Sequence, residues 1–320
     1  MIFPWFKDMF IPSFIKTPVT WCLIYMMLIA YFFTATQSVL MDKQMQNIFS
    51  DKLFLQTQGL LYSQFLSSHK SNASSLIKAK ADQALHGDRS ALRIMGFYAL
   101  RDPQFFYNYK APKAGQDDVA KKVWSEKIKE LREIISMHPT YEMGFFSYTT
   151  DWTRSITYQF VHGGAMHLFG NAFFLLIVGS YLEPVIGGAA LLVGFLLTGF
   201  LGAMFYTILG GSLSLAPMIG ASGSVSGLIG LFGAVFWRQP VRFIYLTLFK
   251  RGYCGWIYLP TWIFFLHRVA FDLAGYLSSP PELGASIAFS AHLGGLAMGL
   301  ILGYILFGWS KATSQGVFSH

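Results

Sequence analysis

The stretch GASGSVSGLIGLFGAVF occupies Gly220–Phe236, and a second stretch, AHLGGLAMGLILG, occupies Ala291–Gly303. Both are apolar enough for a membrane, yet one carries Ser222 near its start and the other carries His292. Polar side chains in such segments are costly to bury unless they have partners. Glycines follow Ser222 and His292 along the chain at helical spacing, which lets the two helices approach closely. The two stretches therefore predict closely packed helices that bring a serine and a histidine together within a bilayer.

The composition indicates a membrane protein. The chain has 320 residues, of which 53% are hydrophobic and 12% are charged, whereas soluble domains carry about 25% charged residues. Residues 41–150 hold 15 of the 24 Lys and Arg and 11 of the 16 Asp and Glu. We therefore expect an all-α polytopic membrane protein with one polar, mainly helical insert. The net charge of +8 does not indicate nucleic-acid binding, because the basic residues alternate with acids or flank apolar spans.

Six segments have membrane length. We expect the first to be an uncleaved transmembrane helix, because its apolar run is longer than a signal-peptide core. The short apolar segment 241–249 is expected at the membrane interface. The six spans are 18–39, 165–182, 188–209, 222–237, 257–277 and 289–308.

The spans and the insert divide the chain into four predicted parts. Within the insert, Asp118–Ser136 and Met45–Leu66 show the apolar periodicity of amphipathic helices. The four parts are an N-terminal segment with the first span (1–40), the insert (41–150), a core of spans two to six (151–310) and a tail (311–320).

The short loops predict the orientation. The loops 210–221 and 278–288 contain no basic residue. Since positive charge stays in the cytoplasm, both termini are expected there, in a plasma (inner) membrane, with the insert outside and Ser222 and His292 near the outer face. The loop between spans four and five has no acid and four basic residues, namely Arg238, Arg242, Lys250 and Arg251.

The chemistry of these positions favours nucleophilic catalysis. Ser222 is expected at a helix N-terminus, where N–H groups and the helix dipole stabilise an oxyanion. His292 heads a stripe that continues through Gly295 and Gly299, and it is the candidate base. His167 and Asn171 are four residues apart on one helix face, where they could donate to an oxyanion or form interhelical hydrogen bonds.

Other hydrolytic chemistries fit the sequence poorly. The His-Glu-x-x-His spacing of a zinc protease is absent, and neither a metal nor a cofactor is expected. An aspartyl mechanism needs two facing carboxylates, whereas the spans offer only Asp272 and the terminal Glu183. The sequence also indicates no carboxylate that orients His292, so a dyad is expected.

Three motifs together resemble the rhomboid family of intramembrane serine proteases, over about residues 150–308 and, by position, span one. They are Gly220-x-Ser222-Gly223, Ala291-His292-x-Gly294-Gly295 with Gly299, and His162-x4-His167-x3-Asn171. The resemblance implies a Ser222 nucleophile, a His292 base, an oxyanion hole of His167, Asn171 and the Ser222 N–H, and a structural role for His162. Arg154 with Thr157 resembles the family's first-loop signature, and Leu182-Glu183 its motif at the end of span two.

The chain departs from the family pattern at three places. Thr153 is inserted between Trp152 and Arg154, and Ser226 replaces the aromatic residue that commonly stacks on the catalytic histidine. The large insert is not part of the family core. None of these changes removes a reacting group, so an active protease is expected.

The expected function is hydrolysis of transmembrane segments of other membrane proteins through an acyl-enzyme. The expected partners are those substrates and the lipid bilayer, and the sequence does not indicate an oligomeric state. The first alternative is a non-catalytic rhomboid-like chaperone or scaffold. A transporter is the second, although paired broken helices in two matching halves are not visible.

Overall fold

The structure is a computed structural model that describes residues 2–4, 15–69, 74–110, 118–148, 151–209, 216–237, 239–246, 254–278 and 288–307. The chain divides into two compact units. The first, here called the core unit, comprises Met1–Phe32, Thr150–Gly211 and Ile219–His320. The second, the insert unit, comprises Phe33–Thr149 and Ser212–Met218. The boundaries of the four parts predicted from the sequence remain predictions, and the predicted tail 311–320 lies outside the described residues.

Most of the described residues are helical. A short π-helical turn, Gln104–Asn108, lies between α4 and α5. The helices are α1 (Pro18–Ser50), α2 (Lys52–Ser68), α3 (Ser75–Leu85), α4 (Arg89–Ala99), α5 (Val119–Met137), α6 (Pro139–Met143), α7 (Arg154–Thr157), α8 (Ala165–Ile186), α9 (Gly188–Ile208), α10 (Ser222–Val235), α11 (Thr261–Ser278) and α12 (Phe289–Phe307).

Helices lie at all six positions where spans are predicted. Among the described residues, four of them, α1, α8, α9 and α12, are long and apolar enough to cross a membrane. The helix α10 is apolar but has only 14 residues, and α11 carries Arg268 and Asp272 within its length. The structure is therefore that of a polytopic, mainly helical membrane protein.

The boundary between α1 and α2 differs from the one predicted. The helix α1 continues to Ser50, so Met45–Leu66 is not one helix. The break is at Asp51, whose carboxylate accepts a hydrogen bond of 3.0 Å from the Phe54 N–H and caps α2. This hydrogen bond, followed by Lys127, lowers the pKa of Asp51. An N-cap carboxylate ends one helix and starts the next, which the apolar periodicity alone does not reveal.

A small three-stranded antiparallel sheet accompanies the helices, and it was not predicted from the sequence. Its strands β1 (Ile2–Pro4), β2 (Pro240–Leu246) and β3 (Cys254–Pro260) have the order β1-β2-β3, with Phe243 opposite Ile257. The segment expected at the interface is thus β2, as far as residue 246. Valine, phenylalanine, isoleucine and tyrosine favour strands, and the same pairing moves the start of span five from 257 to Thr261.

The helix α10 is at the centre of the core unit, because every residue from Gly223 to Val235 is buried. It packs on α12 through glycine. A Cβ added to Gly299 would lie 2.7 Å from the Gly227 carbonyl carbon and 3.0 Å from the Leu231 nitrogen. A Cβ on Gly303 would lie 2.5 Å from the Cβ of Ala234. The backbones of α10 and α12 are therefore in direct contact, with no room for a side chain at Gly299.

A carboxylate on α8 caps the start of α1. Glu183 accepts hydrogen bonds of 2.8 Å from the N–H groups of Val19 and Thr20, and one of 2.7 Å from the Thr20 hydroxyl. The first N–H groups of a helix have no partner within it, and the positive end of the helix dipole favours an anion there. Thr17 precedes the helix, and its hydroxyl is buried without a hydrogen-bond partner, because Glu183 occupies the position of a local cap.

The insert unit has an apolar core of its own, which includes Phe54, Leu55, Met95 and Leu131. Within it, the buried Gln58 donates to the Gly96 carbonyl at 2.8 Å and accepts from the Trp124 indole N–H at 3.3 Å. A buried amide with both ends bonded carries little desolvation penalty. The unit is thus a packed helical bundle in its own right.

Gly299→Ala should destabilise the protein by about 1–3 kcal/mol, because the new methyl group meets main-chain atoms that cannot rotate away. Gly170→Ala is the matched control, since a Cβ on Gly170 has no atom within 4 Å and alanine favours a helix over glycine. Thermal unfolding in detergent micelles measures both changes. Equal melting temperatures for the two variants would contradict the close contact of α10 and α12.

Glu183→Gln should cost about 1–3 kcal/mol, since one carboxylate oxygen becomes an NH₂ group that faces the donors of α1. Thr20→Val removes only the hydroxyl donor and should cost about 0.5–1.5 kcal/mol. Unfolding by denaturant in a constant micelle background tests the order of the two losses. A Glu183→Gln protein as stable as the wild type would show that the cap contributes nothing.

Candidate active site

A glycine turn places Ser222 at the start of α10. Gly220 has a φ of 107°, a backbone conformation that residues with a Cβ rarely adopt. Its N–H donates to the Tyr158 carbonyl at 2.9 Å, which fixes the turn before the helix. Ser222 is the first helical residue, so it lies among N–H groups without intrahelical partners. A Cβ on Gly223 would lie 3.1 Å from the Tyr158 hydroxyl, so this position is also tightly packed.

The close packing of α10 on α12 brings Ser222 to His292. The Nε2 atom of His292 is 2.8 Å from the Oγ atom of Ser222. His292 is 6% exposed, and Ser222 is half-buried. One turn further, a Cβ on Gly295 would contact the Gly223 carbonyl oxygen and lie 3.4 Å from the Gly227 nitrogen. The serine–histidine distance therefore depends on the absence of side chains at the helix contact.

A carboxylate lies on the other side of His292, where the sequence indicated none. The Oδ1 atom of Asp272 is 3.0 Å from Nδ1 of His292. Arg268 donates from Nε to Oδ2 of Asp272 at 2.7 Å and from Nη2 to the Ser226 hydroxyl at 3.1 Å. Asp272 is fully buried, so its charge is compensated by the guanidinium.

The sequence itself contains a signal for this pair. Arg268 and Asp272 are four residues apart on one face of a largely apolar helix. Ionisable residues within membrane helices usually face partners or functional sites. Ser226 is the residue that replaces the family's aromatic side chain, and the structure shows the Arg268 guanidinium against it.

His167 and Asn171 both lie against the turn that precedes Ser222. A Cβ on Gly220 would be 2.6 Å from Nε2 of His167 and 3.5 Å from Nδ2 of Asn171. His167 is exposed and Asn171 is buried. Asn171 Nδ2 donates to the His167 carbonyl at 3.1 Å, which uses one of its two hydrogens. The structure thus brings these two side chains and the start of α10 together.

His162 contacts the same turn through the backbone of Ala221. Its Nδ1 lies 3.1 Å from the Phe160 carbonyl oxygen. Because a carbonyl oxygen can only accept, Nδ1 must carry the hydrogen of this bond. Its Nε2 then accepts the Ala221 N–H across 3.5 Å. The His162 and His167 rings meet edge to face with centroids 5.2 Å apart.

Arg154 and Glu183 have partners elsewhere in the core unit. Arg154 pairs with Asp151 at 3.1 Å, and the pKa of Asp151 is lowered by the Thr153 hydroxyl and then by Arg154. Glu183 caps α1, as described above. The structure therefore gives these two residues structural contacts, whereas Ser222, His292, His167 and Asn171 converge.

The convergent groups have the composition that acyl transfer needs. A hydroxyl is hydrogen-bonded to an imidazole, the imidazole to a carboxylate, and donors surround the helix start beside the hydroxyl.

Comparison with known proteins gives the family. Residues 149–309 match the family model for the Rhomboid domain. The chain is 30% identical over 164 residues to RHOMBOID-like protein 6, mitochondrial, of Arabidopsis thaliana. The aligned region covers 49% of this chain and 46% of that protein. It is 30% identical over 173 residues to Rhomboid protein 1, mitochondrial, of Saccharomyces cerevisiae, covering 52% and 45%. It is 28% identical over 163 residues to Rhomboid-related protein 2 of Mus musculus, covering 48% of each.

The matched region spans less than half of the length of each of these relatives. It coincides with the helices that carry every convergent side chain. Together with the four membrane-length helices, the match identifies an integral membrane protein. Since the Rhomboid domain covers half of the chain, this protein belongs to the rhomboid family.

Proposed function

We propose that this protein is an intramembrane serine endopeptidase that cleaves transmembrane segments of other membrane proteins. The observation that carries the proposal is the 2.8 Å contact between His292 Nε2 and Ser222 Oγ at the start of a buried apolar helix. This distance is within the range for a nucleophile and its general base. Rhomboid relatives that lack catalysis, such as a chaperone or scaffold, have no need for this contact.

The proposed reaction has two halves. In the first, His292 takes the Ser222 proton while Oγ bonds to the scissile carbonyl carbon, and the proton then passes to the departing amine as the C–N bond breaks. In the second, His292 takes a proton from water, the hydroxide attacks the acyl-enzyme, and the ester bond to Oγ breaks as Ser222 is reprotonated.

The developing oxyanion would be stabilised by the Ser222 N–H, His167 and Asn171. Support comes from the position of both side chains against Gly220 and of Ser222 at the helix N-terminus. Donors that are already fixed before the reaction lose no reorganisation energy as the charge develops.

The length of α10 supports an active site below the membrane surface. Its 14 residues span roughly 21 Å, whereas the hydrocarbon core is about 30 Å thick. A helix that reaches one surface then leaves Ser222 recessed from the other, within reach of water through a polar cavity. A substrate helix must unwind locally there, so helix-breaking residues near the scissile bond should favour cleavage.

We further propose six transmembrane helices, with α10 and α11 joining the four of membrane length. The proposed location is the plasma membrane with both termini in the cytoplasm. The orientation is supported by the basic loop between α10 and α11, which contains Arg238, Arg242, Lys250 and Arg251 without an acid. The word mitochondrial in two relatives' names describes those proteins.

Ser222→Ala and His292→Ala should each abolish cleavage of a model transmembrane substrate and leave the melting temperature close to that of the wild type. Because the two residues act as one unit, the double variant should be little worse than either single variant. A fluorophosphonate probe should label the wild type and not Ser222→Ala. Turnover by purified Ser222→Ala would contradict the assignment of Ser222 as the nucleophile, whereas a wild type that neither cleaves nor takes the probe would favour the non-catalytic alternative.

His167→Ala and Asn171→Ala should each lower kcat by about 10²–10³ with a smaller effect on KM, because an oxyanion donor acts mainly in the transition state. Asn171→Asp is the near-isosteric comparison, since it keeps the volume and removes the donor. Single-turnover cleavage separates the chemical step from product release. If kcat were unchanged in these variants, His167 and Asn171 would be packing groups only.

A further inference from the structure

The Nδ1 atom of His292 has two polar neighbours with opposite requirements. Oδ1 of Asp272 lies at 3.0 Å, and an ionised carboxylate can only accept a hydrogen bond from Nδ1. Arg268 Nη2, at 3.1 Å, can only donate to it. An imidazole nitrogen either carries a hydrogen or accepts one, so each neutral tautomer satisfies one neighbour and not the other.

The choice between the tautomers decides whether His292 is a base toward Ser222. With the hydrogen on Nδ1, the lone pair of Nε2 faces the Ser222 hydroxyl at 2.8 Å. With the hydrogen on Nε2, the ring donates to Ser222 and cannot take its proton. The residue that forms the hydrogen bond with Nδ1 therefore decides whether Nε2, on the opposite side of the ring, can accept the Ser222 proton.

The surrounding contacts favour Asp272. The Arg268 guanidinium already donates from Nε to Asp272 Oδ2 at 2.7 Å and from Nη2 to Ser226 at 3.1 Å. Asp272 is 0% exposed, so its second oxygen requires a donor from the protein, and Nδ1 of His292 is placed to be that donor. Arg268 is 20% exposed along its side chain, so part of its charge can be solvated.

We propose that Asp272 is a positioning residue that holds His292 in its reactive tautomer, and that Arg268 fixes the Asp272 carboxylate for this task. Ser222, His292 and Asp272 then form a triad in place of the dyad expected from the sequence. The negative charge of Asp272 also stabilises the imidazolium that forms when His292 takes the Ser222 proton. This inference rests on the proposed function for its kinetic consequence, although the tautomer itself does not depend on activity.

The first test measures the tautomer directly. The full chain is labelled with ¹⁵N-histidine and reconstituted in lipid bilayers, and the His292 signals are assigned by comparison with His292→Ala. We expect a protonated Nδ1 and an unprotonated Nε2 in the wild type and also in Ser222→Ala. An unprotonated Nδ1 in the wild type would overturn the inference, since Nδ1 would then accept from Arg268 and could not donate to Asp272. This outcome leaves cleavage activity, and hence the proposed function, to be judged separately.

The second test is kinetic. In Asp272→Asn the amide oxygen should face Arg268 Nε, which turns the NH₂ group toward Nδ1 and imposes the unreactive tautomer. We expect kcat to fall about 10³–10⁴-fold, as for the corresponding change in a serine protease triad, with KM unchanged. Asp88→Asn is the control, because it makes the same chemical change at an exposed N-cap of α4, where asparagine serves equally well.

The role of Arg268 is tested in the same background. In Asp272→Asn/Arg268→Met the amide no longer faces a fixed donor, so it can rotate and accept from Nδ1. We expect this double variant to recover part of the activity lost in Asp272→Asn. An unchanged kcat in Asp272→Asn would overturn the role of Asp272, and the absence of any recovery in the double variant would overturn that of Arg268. If Asp272→Asn does not fold, the wild-type tautomer still decides the proposal.

Discussion

The contact of α10 with α12 is the constraint on which the rest of the core unit depends. At Gly299 and Gly295 the two helices meet main chain against main chain, with no side chain to act as a spacer. Association of helices in a bilayer relies on such packing, because lipid tails are as apolar as the side chains that they replace. The distance between Ser222 and His292 follows from this contact, since each residue lies at the beginning of its helix.

The second organising feature is a polar network enclosed by apolar helices. Hydrogen bonds link His292 to Asp272, Asp272 to Arg268 and Arg268 to Ser226. A buried ion pair contributes little net stability, because desolvation of the charges offsets their attraction. The presence of this pair in α11 fits the role proposed for Asp272 beside His292. The small side chain at Ser226 leaves the space that the guanidinium fills.

The sequence predicted the parts of this site that are set by spacing within single helices. Ser222 heads α10 because Gly220 and Gly223 flank it, and His167 and Asn171 share a face because they are four residues apart. The partnership of Asp272 with His292 depends on how α11 is rotated about its axis relative to α12, and periodicity within one helix does not contain that angle. Likewise, β1 pairs with β2 across a long sequence separation. The boundary between α1 and α2 depends on a single capping residue, Asp51.

The cap that Glu183 places on α1 also has a consequence for biosynthesis. Thr20 and Glu183 are 163 residues apart, so the start of α1 leaves the ribosome long before its partner exists. At a translation rate of about 5–20 residues per second, the interval is roughly 8–33 s. During that time the first amides of α1 must be satisfied by water or lipid headgroups. The helix α1 therefore waits in the bilayer until α8 is inserted beside it.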